Sequence, residues 1–391
     1  MVKPFQFARI PGIIFKNGSV SSLPDYIKLY GNKVALVTGK SSFINSVQAQ
    51  KLFNDFVKRR IEYCLVSVNC EPSPEDIDRS VKTLNNEGID LVVGIGGGSV
   101  LDAGKAISAM IHKSESVERF LEGVGDMEHP GTKLPYIAIP TTSGTGSEAT
   151  KNAVISKIGI NGYKKSLRHD NFVPDVAIVD PELTLNCPPD ITAASGMDCF
   201  TQLTEAYLSD KSSEYTDALA MEGLKAIRLS LKRCCLDGQD IEARKGMAFA
   251  ALTSGICLAN AGLGVVHGFA SSVGGMYNIP HGLVCGTLMA KTNEVNVREL
   301  RKKKQNPAAL NKYSALGQLF LGDTGKNDDY YIDGFVRYLL ELTDDIGLPG
   351  LKKYGVEGKD IPAICIRTEN KNNPVKLDAE DLEEIIRSRL V

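Results

Sequence analysis

The chain has 391 residues, of which 43% are apolar, and its 45 basic and 47 acidic side chains nearly cancel to a net charge of −2. This is the composition of a globular protein, and it offers no basic excess that would neutralise a nucleic-acid backbone. No apolar run reaches the roughly 18 residues of a membrane span, and the first residues lack the apolar core of a secretion signal. The nine cysteines are scattered without a CxxC pair. We therefore expect a cytoplasmic protein with free thiols and with neither a nucleic-acid nor a membrane partner.

The first half of the chain alternates short Val- and Ile-rich runs with stretches of helical periodicity. Continuous apolar runs of this length are typical of parallel strands that helices cover on both faces. The predicted strands are residues 33–38, 61–68, 89–95, 134–139 and 176–179. This half is therefore predicted to be a doubly wound, Rossmann-like α/β domain.

Three local patterns refine this prediction. Residues 73–76 (SPED) combine the Ser cap, the early Pro and the acids of a helix start. Asn161-Gly162, between residues 153–158 and 164–167, predicts a hairpin. Residues 6–15 are predicted to form an edge strand or a hairpin, which either pairs with another subunit or packs on its own domain.

The composition changes near residues 186–189 (NCPP), beyond which the short Val- and Ile-rich runs largely vanish. Helical patterns dominate the rest of the chain, at residues 197–208, 215–231, 241–261 and 379–390. We therefore predict an α/β domain over residues 1–185 and an all-α domain over residues 186–391.

Two polar loops follow neighbouring predicted strands. Gly96-Gly97-Gly98-Ser99 opens a helix predicted over residues 100–111. Such a turn lets backbone N–H groups approach a diphosphate at a helix N-terminus, although Ser99 stands where the usual fingerprint has its last Gly. Residues 140–148 (PTTSGTGSE) follow the next strand, at the end where ligands bind in open α/β sheets. The alternatives are that the glycine turn binds no ligand and that residues 140–148 form an ordinary polar surface loop. Two such loops after separate strands favour a shared phosphate site.

The second half carries a candidate metal site. Asp198 and Gln202 are four residues apart in a helical pattern, so they share one face. His267 and His281 follow within one glycine-rich segment. A carboxylate and two imidazoles suit Fe²⁺ or Zn²⁺, the alternative being histidines that only pack in the core.

Together these segments resemble the iron-containing, or group III, alcohol dehydrogenase family. The resemblance spans the chain and is carried by residues 96–108 (GGGSVLDAGKAIS), 140–150 (PTTSGTGSEAT), 173–184 (VPDVAIVDPELT), 196–209 (GMDCFTQLTEAYLS) and the two-histidine segment. It implies a Rossmann-like domain followed by an all-helical domain, an architecture shared with dehydroquinate synthase. It also implies a metal-assisted, NAD(P)-dependent dehydrogenase of short primary alcohols and diols, or a reductase of their aldehydes, assembled as a homodimer.

The resemblance assigns metal ligands, and the chain departs from them at one position. Family members hold the metal through an Asp, a His four residues later and two later histidines. Asp198, His267 and His281 match, whereas Gln202 replaces the first His. Three outcomes follow: three ligands hold the metal with Gln202 or water completing the site, the metal binds weakly, or it is lost. Ser271 likewise replaces a second His, one helical turn after His267, so proton exit is expected through Ser271, water or ribose hydroxyls.

The resemblance also assigns cofactor contacts. Residues expected at the phosphates and the nicotinamide are Gly97, Gly98, Ser99, Thr141, Thr142 and Thr145. Asp102 is expected to face the nicotinamide amide, Lys165 to reach the ribose, and Asn152 to lie near the substrate; Lys164 leaves the register of Lys165 open.

The end of the first Rossmann-like strand bears on the choice between NAD and NADP. Gly39 stands where NAD-preferring relatives carry an acid, with Lys40 and Ser41 beside it. Because an acid at that position would repel a 2′-phosphate, its absence predicts a preference for NADP(H) over NAD(H). The alternative is that Gly39 only makes the turn and Lys40 faces solvent.

Three rival functions share the architecture. A glycerol-dehydrogenase-like enzyme would oxidise a polyol with NAD through the same three metal ligands. A catalytically impaired relative that only binds nucleotide would explain Gln202 and Ser271. A dehydroquinate-synthase-like lyase would need a basic cluster that residues 267–281 lack.

Overall fold

The computed structural model describes residues 4–159 and 161–391. Eight strands occur in chain order: β1 (Gly12–Phe15), β2 (Lys33–Gly39), β3 (Glu62–Val68), β4 (Leu91–Gly96), β5 (Tyr136–Pro140), β6 (Asn152–Lys157), β7 (Tyr163–Arg168) and β8 (Val176–Val179). Six of them form one sheet in the order β1-β8-β5-β4-β2-β3, and every pairing in it is parallel. All five strands predicted for this sheet are confirmed, with ends displaced by at most two residues.

Helices cover both faces of the sheet. Four helices belong to this half: α1 (Leu23–Ile27), α2 (Val47–Arg59), α3 (Pro74–Leu84) and α4 (Gly98–Met110). Leu36 of β2 packs with α1 and α2, whereas its neighbours Ala35 and Val37 pack with α3 and α4. Successive side chains of a strand point to opposite faces, so this division confirms the doubly wound prediction.

The local predictions for this half are also confirmed. Ser73 caps α3 by accepting from the Asp76 backbone N–H at 3.1 Å, with Pro74 as the first helical residue. β6 and β7 form the predicted antiparallel hairpin; residue 160, in its turn, lies outside the described residues. Of residues 6–15, only Gly12–Phe15 forms a strand, at the edge of the sheet beside β8. The edge strand is therefore the alternative observed in the described residues.

The second half is helical, as predicted. Its helices are α5 (Pro189–Leu208), α6 (Glu214–Leu236), α7 (Ile241–Ala261), α8 (Val265–Met276), α9 (His281–Lys303), α10 (Pro307–Leu321), α11 (Asp328–Asp345), α12 (Ile361–Arg367) and α13 (Ala379–Arg387). α5 is almost wholly buried because it packs against α6, α7 and α9. A helix buried on all sides can place polar residues only where other polar groups meet them.

Length and hydropathy together decide whether a helix can cross a membrane. No single helix in those ranges is both long enough and apolar enough to cross a bilayer; α7 and α8, which meet at 99°, satisfy the two criteria only as a bent pair.

Candidate functional site

Three loops that the sequence singles out meet at one edge of the parallel sheet. β2, β4 and β5 are adjacent in the sheet and end at Gly39, Gly96 and Pro140. The carboxyl ends of parallel strands share an edge, so the loops that follow lie side by side. The Thr141 backbone N–H donates to the Gly96 carbonyl at 2.9 Å and ties the second loop to the first. This edge is where open α/β sheets bind their ligands.

The glycine turn and the Thr-rich loop are in direct contact. A Cβ atom on Gly98 would lie 2.7 Å from Thr145 Cγ2, and one on Gly97 would lie 3.3 Å from Thr142 Oγ1. Glycine at position 98 is therefore required by close approach. α4 begins at Gly98, and no side chain of the described residues caps it, so its first N–H groups suit an anion. The residues predicted to contact the cofactor are partly exposed, whereas most of their neighbours are buried. These partly exposed residues are Gly97, Gly98, Ser99, Thr141, Thr142 and Thr145.

A buried cluster of charges lies beneath these loops. Asp102 Oδ1 accepts from Ser147 Oγ at 2.6 Å, and burial raises the pKa of its carboxyl. Burial lowers the pKa of Lys105 to about 8 and raises that of Glu148 to about 7. Four oxygens lie 2.8–3.1 Å from Lys105 Nζ: Ser147 O, Ser147 Oγ, Thr150 Oγ1 and Asn152 O. The ammonium group therefore holds the Thr-rich loop and β6 against α4.

The loop after β2 is open to solvent. Lys40 and Ser41 are exposed, and Gly39 is half-buried. A Cβ atom on Gly39 would meet Ser42 Oγ at 3.7 Å, an ordinary contact. The glycine is therefore not required by packing, so a larger residue can be accommodated at position 39.

Four potential metal ligands converge in the helical half, from α5, α8 and α9. Their ligand atoms all lie within 4.8 Å of one another: Asp198, His267, His281 and Cys285. His267 Nε2 is 3.4 Å and His281 Nε2 is 3.8 Å from Asp198 Oδ1. Asp198 is 1% exposed, and its Oδ1 has no hydrogen-bond partner among the described residues. A buried carboxylate oxygen left without a donor is what a cation site provides, so these residues fit a divalent metal.

Glu205 orients one of the imidazoles. Its Oε2 accepts from His267 Nδ1 at 2.6 Å, and its Oε1 accepts from the Val266 backbone N–H at 2.7 Å. The bond at Nδ1 leaves Nε2 as the ring nitrogen with a lone pair towards the cluster. Sequence reasoning missed Glu205, although it follows Asp198 by seven residues on α5 and therefore lies on the same helix face.

Gln202 and Ser271 have other partners. Gln202 Oε1 accepts from Ser254 Oγ of α7 at 3.0 Å. Ser271 Oγ donates to the His267 carbonyl one turn earlier, at 2.9 Å, and the residue is half-buried. Cys285 lies one turn after His281 on α9. Its Sγ lies 3.6 Å from His267 Nε2 and 3.7 Å from His281 Nε2, and burial raises the pKa of its thiol to about 12.

The two lysines of β7 differ in position. Lys165 is 39% exposed, with Nζ at 3.8 Å from Glu369 Oε1. Lys164 is buried and pairs with Glu71. Burial and then the charge of Lys164 lower the pKa of His281 to about 4. Of the two lysines, Lys164 is therefore the one whose charge acts on the metal cluster. Asn152, at the start of β6, is half-buried.

The sheet edge with the Thr-rich loop and the four candidate metal ligands adjoin through α5. A Cβ atom on Gly144 of the Thr-rich loop would lie 2.9 Å from Ser195 Cβ. Ser195 precedes Asp198 by three residues, so both lie on one face of α5. Ser254 Oγ lies 3.5 Å from the Gly144 carbonyl while it donates to Gln202. The Thr-rich loop therefore contacts α5 within one helical turn of Asp198, a candidate metal ligand.

Comparison with known proteins agrees with this geometry. Residues 11–181 match the sequence profile described as iron-containing alcohol dehydrogenase, and residues 192–390 match that of the C-terminal part of the same family. The chain is 31% identical to alcohol dehydrogenase 4 of Saccharomyces cerevisiae, over 97% of both chains. It is 29% identical to the NAD-dependent methanol dehydrogenase of Bacillus methanolicus, over 97% of this chain and 98% of that protein.

Solved structures give the same result. A crystal structure of 1,3-propanediol oxidoreductase superposes with a TM-score of 0.88 at 27% identity, covering 99% of this chain and 100% of that one. The parallel-sheet domain, the helical domain and the resemblance inferred from the motifs are all confirmed. The chain belongs to the iron-containing alcohol dehydrogenase family, whose members are oxidoreductases acting on alcohols.

Proposed function

We propose that this chain is a metal-assisted alcohol dehydrogenase or aldehyde reductase that prefers NADP(H). It would transfer a hydride between the nicotinamide and a short primary alcohol, a diol or the matching aldehyde. The observation that carries the proposal is the contact of Gly144 with Ser195, because it joins the dinucleotide-type loops to the helix that bears Asp198. Reactants held on the two sides of this contact would meet in one cleft.

Three residues are proposed to hold the metal, either Fe²⁺ or Zn²⁺: Asp198, His267 and His281. A bound divalent cation supplies Lewis-acid polarisation of the alcohol or aldehyde oxygen. Glu205 keeps the His267 proton on Nδ1, so that Nε2 remains a ligand. Asp198 and His267 are buried, which would limit the access of water to the metal. Ser271 Oγ is proposed to pass the alcohol proton outwards by hydrogen bonding, since a hydroxyl cannot store a proton near neutral pH.

The dinucleotide is proposed to lie along the sheet edge. Backbone N–H groups of Gly97, Gly98 and Ser99 would bind the diphosphate at the start of α4. Thr141, Thr142 and Thr145 flank the same turn. Asp102, held by Ser147, is proposed to face the nicotinamide amide. Lys165 remains the proposed ribose contact, and Asn152 the proposed substrate contact.

The NADP(H) preference is proposed from the open loop after β2. Gly39 brings no charge there, while Lys40 and Ser41 offer a cation and a hydroxyl to a 2′-phosphate. Gly39→Asp should lower kcat/KM with NADPH by about tenfold or more, or about 1.4 kcal/mol, and affect NADH less. Gly39→Ala, which fits the same space, is the control. If Gly39→Asp leaves the ratio of the two kcat/KM values unchanged, the cofactor assignment is wrong.

The reaction itself is tested by metal content and turnover. Purified protein is analysed for metal and assayed for NADPH oxidation on a panel of short aldehydes, with and without added Fe²⁺ or Zn²⁺. Asp198→Ala should lose the metal and most of kcat while still binding NADPH. Equal turnover of the metal-free variant would refute the metal-assisted mechanism. A preference for NAD and for polyols would instead favour the glycerol-dehydrogenase-like alternative.

Several properties of the whole chain are proposed on the same basis. Residues 1–185 and 186–391 are proposed as two domains, since the sheet ends at Val179 and α5 begins at Pro189. A homodimer is proposed through β1, because that strand lies at the edge of the sheet. The nine free thiols support a cytoplasmic location.

A further inference from the structure

We propose that Cys285 is the fourth protein ligand of the metal, in place of the histidine that the chain lacks at Gln202. The inference rests on the proposed metal-assisted function and specifies its ligand set. It assigns to the site a carboxylate, two imidazoles and a thiolate rather than three protein ligands completed by Gln202 or water.

Three of the four separations that join Cys285 Sγ or Asp198 Oδ1 to the two imidazole nitrogens are close to those of a tetrahedral zinc site, and the fourth is longer. Nitrogen and oxygen ligands about 2.0–2.1 Å from Zn²⁺ lie about 3.3–3.4 Å apart, and a nitrogen and a sulfur about 2.3 Å from the ion lie about 3.6 Å apart. The separations of Cys285 Sγ from His267 Nε2 and His281 Nε2 are 3.6 and 3.7 Å. Those of Asp198 Oδ1 from the same nitrogens are 3.4 and 3.8 Å. The thiol therefore lies where a fourth protein ligand would lie, and a substrate oxygen would add as a fifth ligand.

The local backbone explains why Cys285 reaches the cluster. His281 is the first residue of α9, and Cys285 follows it by four residues, so both side chains lie on one helix face. Cys285 is fully buried, and Asp198 Oδ1 beside it has no hydrogen-bond partner among the described residues. A thiol that only filled the core would not need to face a carboxylate and two imidazole nitrogens.

Gln202 is less suited to the same role. Its carboxamide oxygen, the only atom with which it could bind a cation, already accepts from Ser254 Oγ. That bond points the oxygen towards α7, whereas the other candidate ligands come from α5, α8 and α9. Recruiting Gln202 would turn its oxygen away from Ser254, whose hydroxyl also lies 2.8 Å from the Ala251 carbonyl, at a cost of about 0.5–1.5 kcal/mol.

A thiolate ligand changes the chemistry of the site. On metal binding the Cys285 S–H bond breaks, a bond from Sγ to the metal forms, and the proton leaves to solvent. Asp198 and Cys285 together then neutralise a divalent cation. Because thiolates are soft ligands, the site should favour Zn²⁺ or Co²⁺ over Fe²⁺.

Cobalt reconstitution tests the assignment directly. The full-length protein is stripped with a chelator and titrated with Co²⁺, whose thiolate complexes show a near-ultraviolet charge-transfer band. The band is expected in the wild type, in Gln202→Ala and in Cys199→Ser, a matched buried cysteine next to Asp198. It should be absent from Cys285→Ser and Cys285→Ala, whose Zn²⁺ affinity should fall at least about tenfold. NADPH binding and circular dichroism check that each variant is folded.

Three results would overturn the inference. They are a wild type that takes up no Co²⁺, a Cys285→Ser spectrum equal to that of the wild type, and a larger loss of Zn²⁺ affinity in Gln202→Ala than in Cys285→Ser. The proposed function can fail separately. A Cys285-dependent band in a protein that reduces no aldehyde would support Cys285 as a metal ligand and refute the proposed dehydrogenase function.

Discussion

Glu205→Gln separates the charge of the Glu205 side chain from its shape. The carboxylate accepts two hydrogen bonds, from His267 Nδ1 at 2.6 Å and from the Val266 backbone N–H at 2.7 Å. A carboxamide of the same shape has one acceptor oxygen and one donor nitrogen. It can serve only one of the two donors, and each of its orientations has a distinct cost.

If the amide oxygen faces His267, the NH₂ group faces the Val266 N–H, and a buried donor is left unpaired. This costs about 1–3 kcal/mol of stability, and loss of the charge near the start of α8 adds about 0.3–1 kcal/mol. If the NH₂ group faces His267, Nδ1 must accept and the ring proton moves to Nε2. That tautomer places a proton on the atom that would bind the metal. Removing such an orienting carboxylate typically lowers metal affinity by 10–100-fold, or about 1.4–2.7 kcal/mol.

The assay is a Zn²⁺ titration against a competing chelator, with urea unfolding of the metal-free protein in parallel. Glu205→Gln should weaken both Zn²⁺ binding and stability. The control is Glu299→Gln, since Glu299 is also buried but pairs with Arg298, Lys302 and Lys303 at the end of α9. It should change stability without changing Zn²⁺ affinity. If Glu205→Gln binds Zn²⁺ as the wild type does, Glu205 does not orient a ligand and the tautomer argument is refuted.

Three further variants test the packing beneath the loops and one buried histidine. Gly98→Ala should weaken NADPH binding by at least about tenfold, because its Cβ would lie 2.7 Å from Thr145 Cγ2; fluorescence titration with NADPH measures this, and unchanged binding would contradict the close contact. Lys105→Met removes the cation near Asp102 and leaves the buried Ser147 and Asn152 carbonyls without the Lys105 donor, so urea unfolding should show a loss of about 3–5 kcal/mol, and a loss below 1 kcal/mol would contradict the buried ion cluster. His129 accepts from the Gly131 N–H, and burial lowers its pKa to about 4. Between pH 6.5, the ordinary pKa of histidine, and pH 4, His129 is protonated in the unfolded chain but largely neutral in the folded one. The free energy of unfolding therefore falls as the pH drops from about 6.5 to about 4. The wild type should lose about 2–3 kcal/mol more than His129→Gln over this window, and parallel pH profiles of the two proteins would contradict this assignment.

The sheet was predictable from the sequence because its strands are buried on both faces. Residues such as Leu36 and Val37 of β2 both face helices, and continuous apolar runs signal this directly. Strand order was not predictable in the same way, because it depends on contacts between distant segments. The edge position of β1 follows from its pairing with β8, more than 150 residues later. No local pattern in residues 6–15 distinguishes that pairing from a hairpin.

The candidate site was predictable only in part, for a similar reason. Asp198, His267 and His281 are residue types that bind metals, so their presence in one domain is visible in the sequence. Cys285 and Glu205 lie within ordinary helical patterns, and nothing local separates them from core residues. Their proximity to the histidines is set by the packing of α5 against α9 and of α8 against α9. These contacts join segments that are distant in the chain, so they cannot be predicted from one sequence alone.

One face of α5 explains how the Thr-rich loop and the four candidate metal ligands are held at a fixed separation. Ser195, Asp198, Gln202 and Glu205 recur every three or four residues, so they form one stripe along the helix. Ser195 contacts the Thr-rich loop, and Glu205 holds His267. Because α5 is almost wholly buried, it cannot shift along its axis without repacking its neighbours. The separation between the Thr-rich loop and the ligands is therefore fixed by one rigid element. Gln202 at the position of a ligand histidine would alter what completes the proposed metal site, but it leaves this spacing intact.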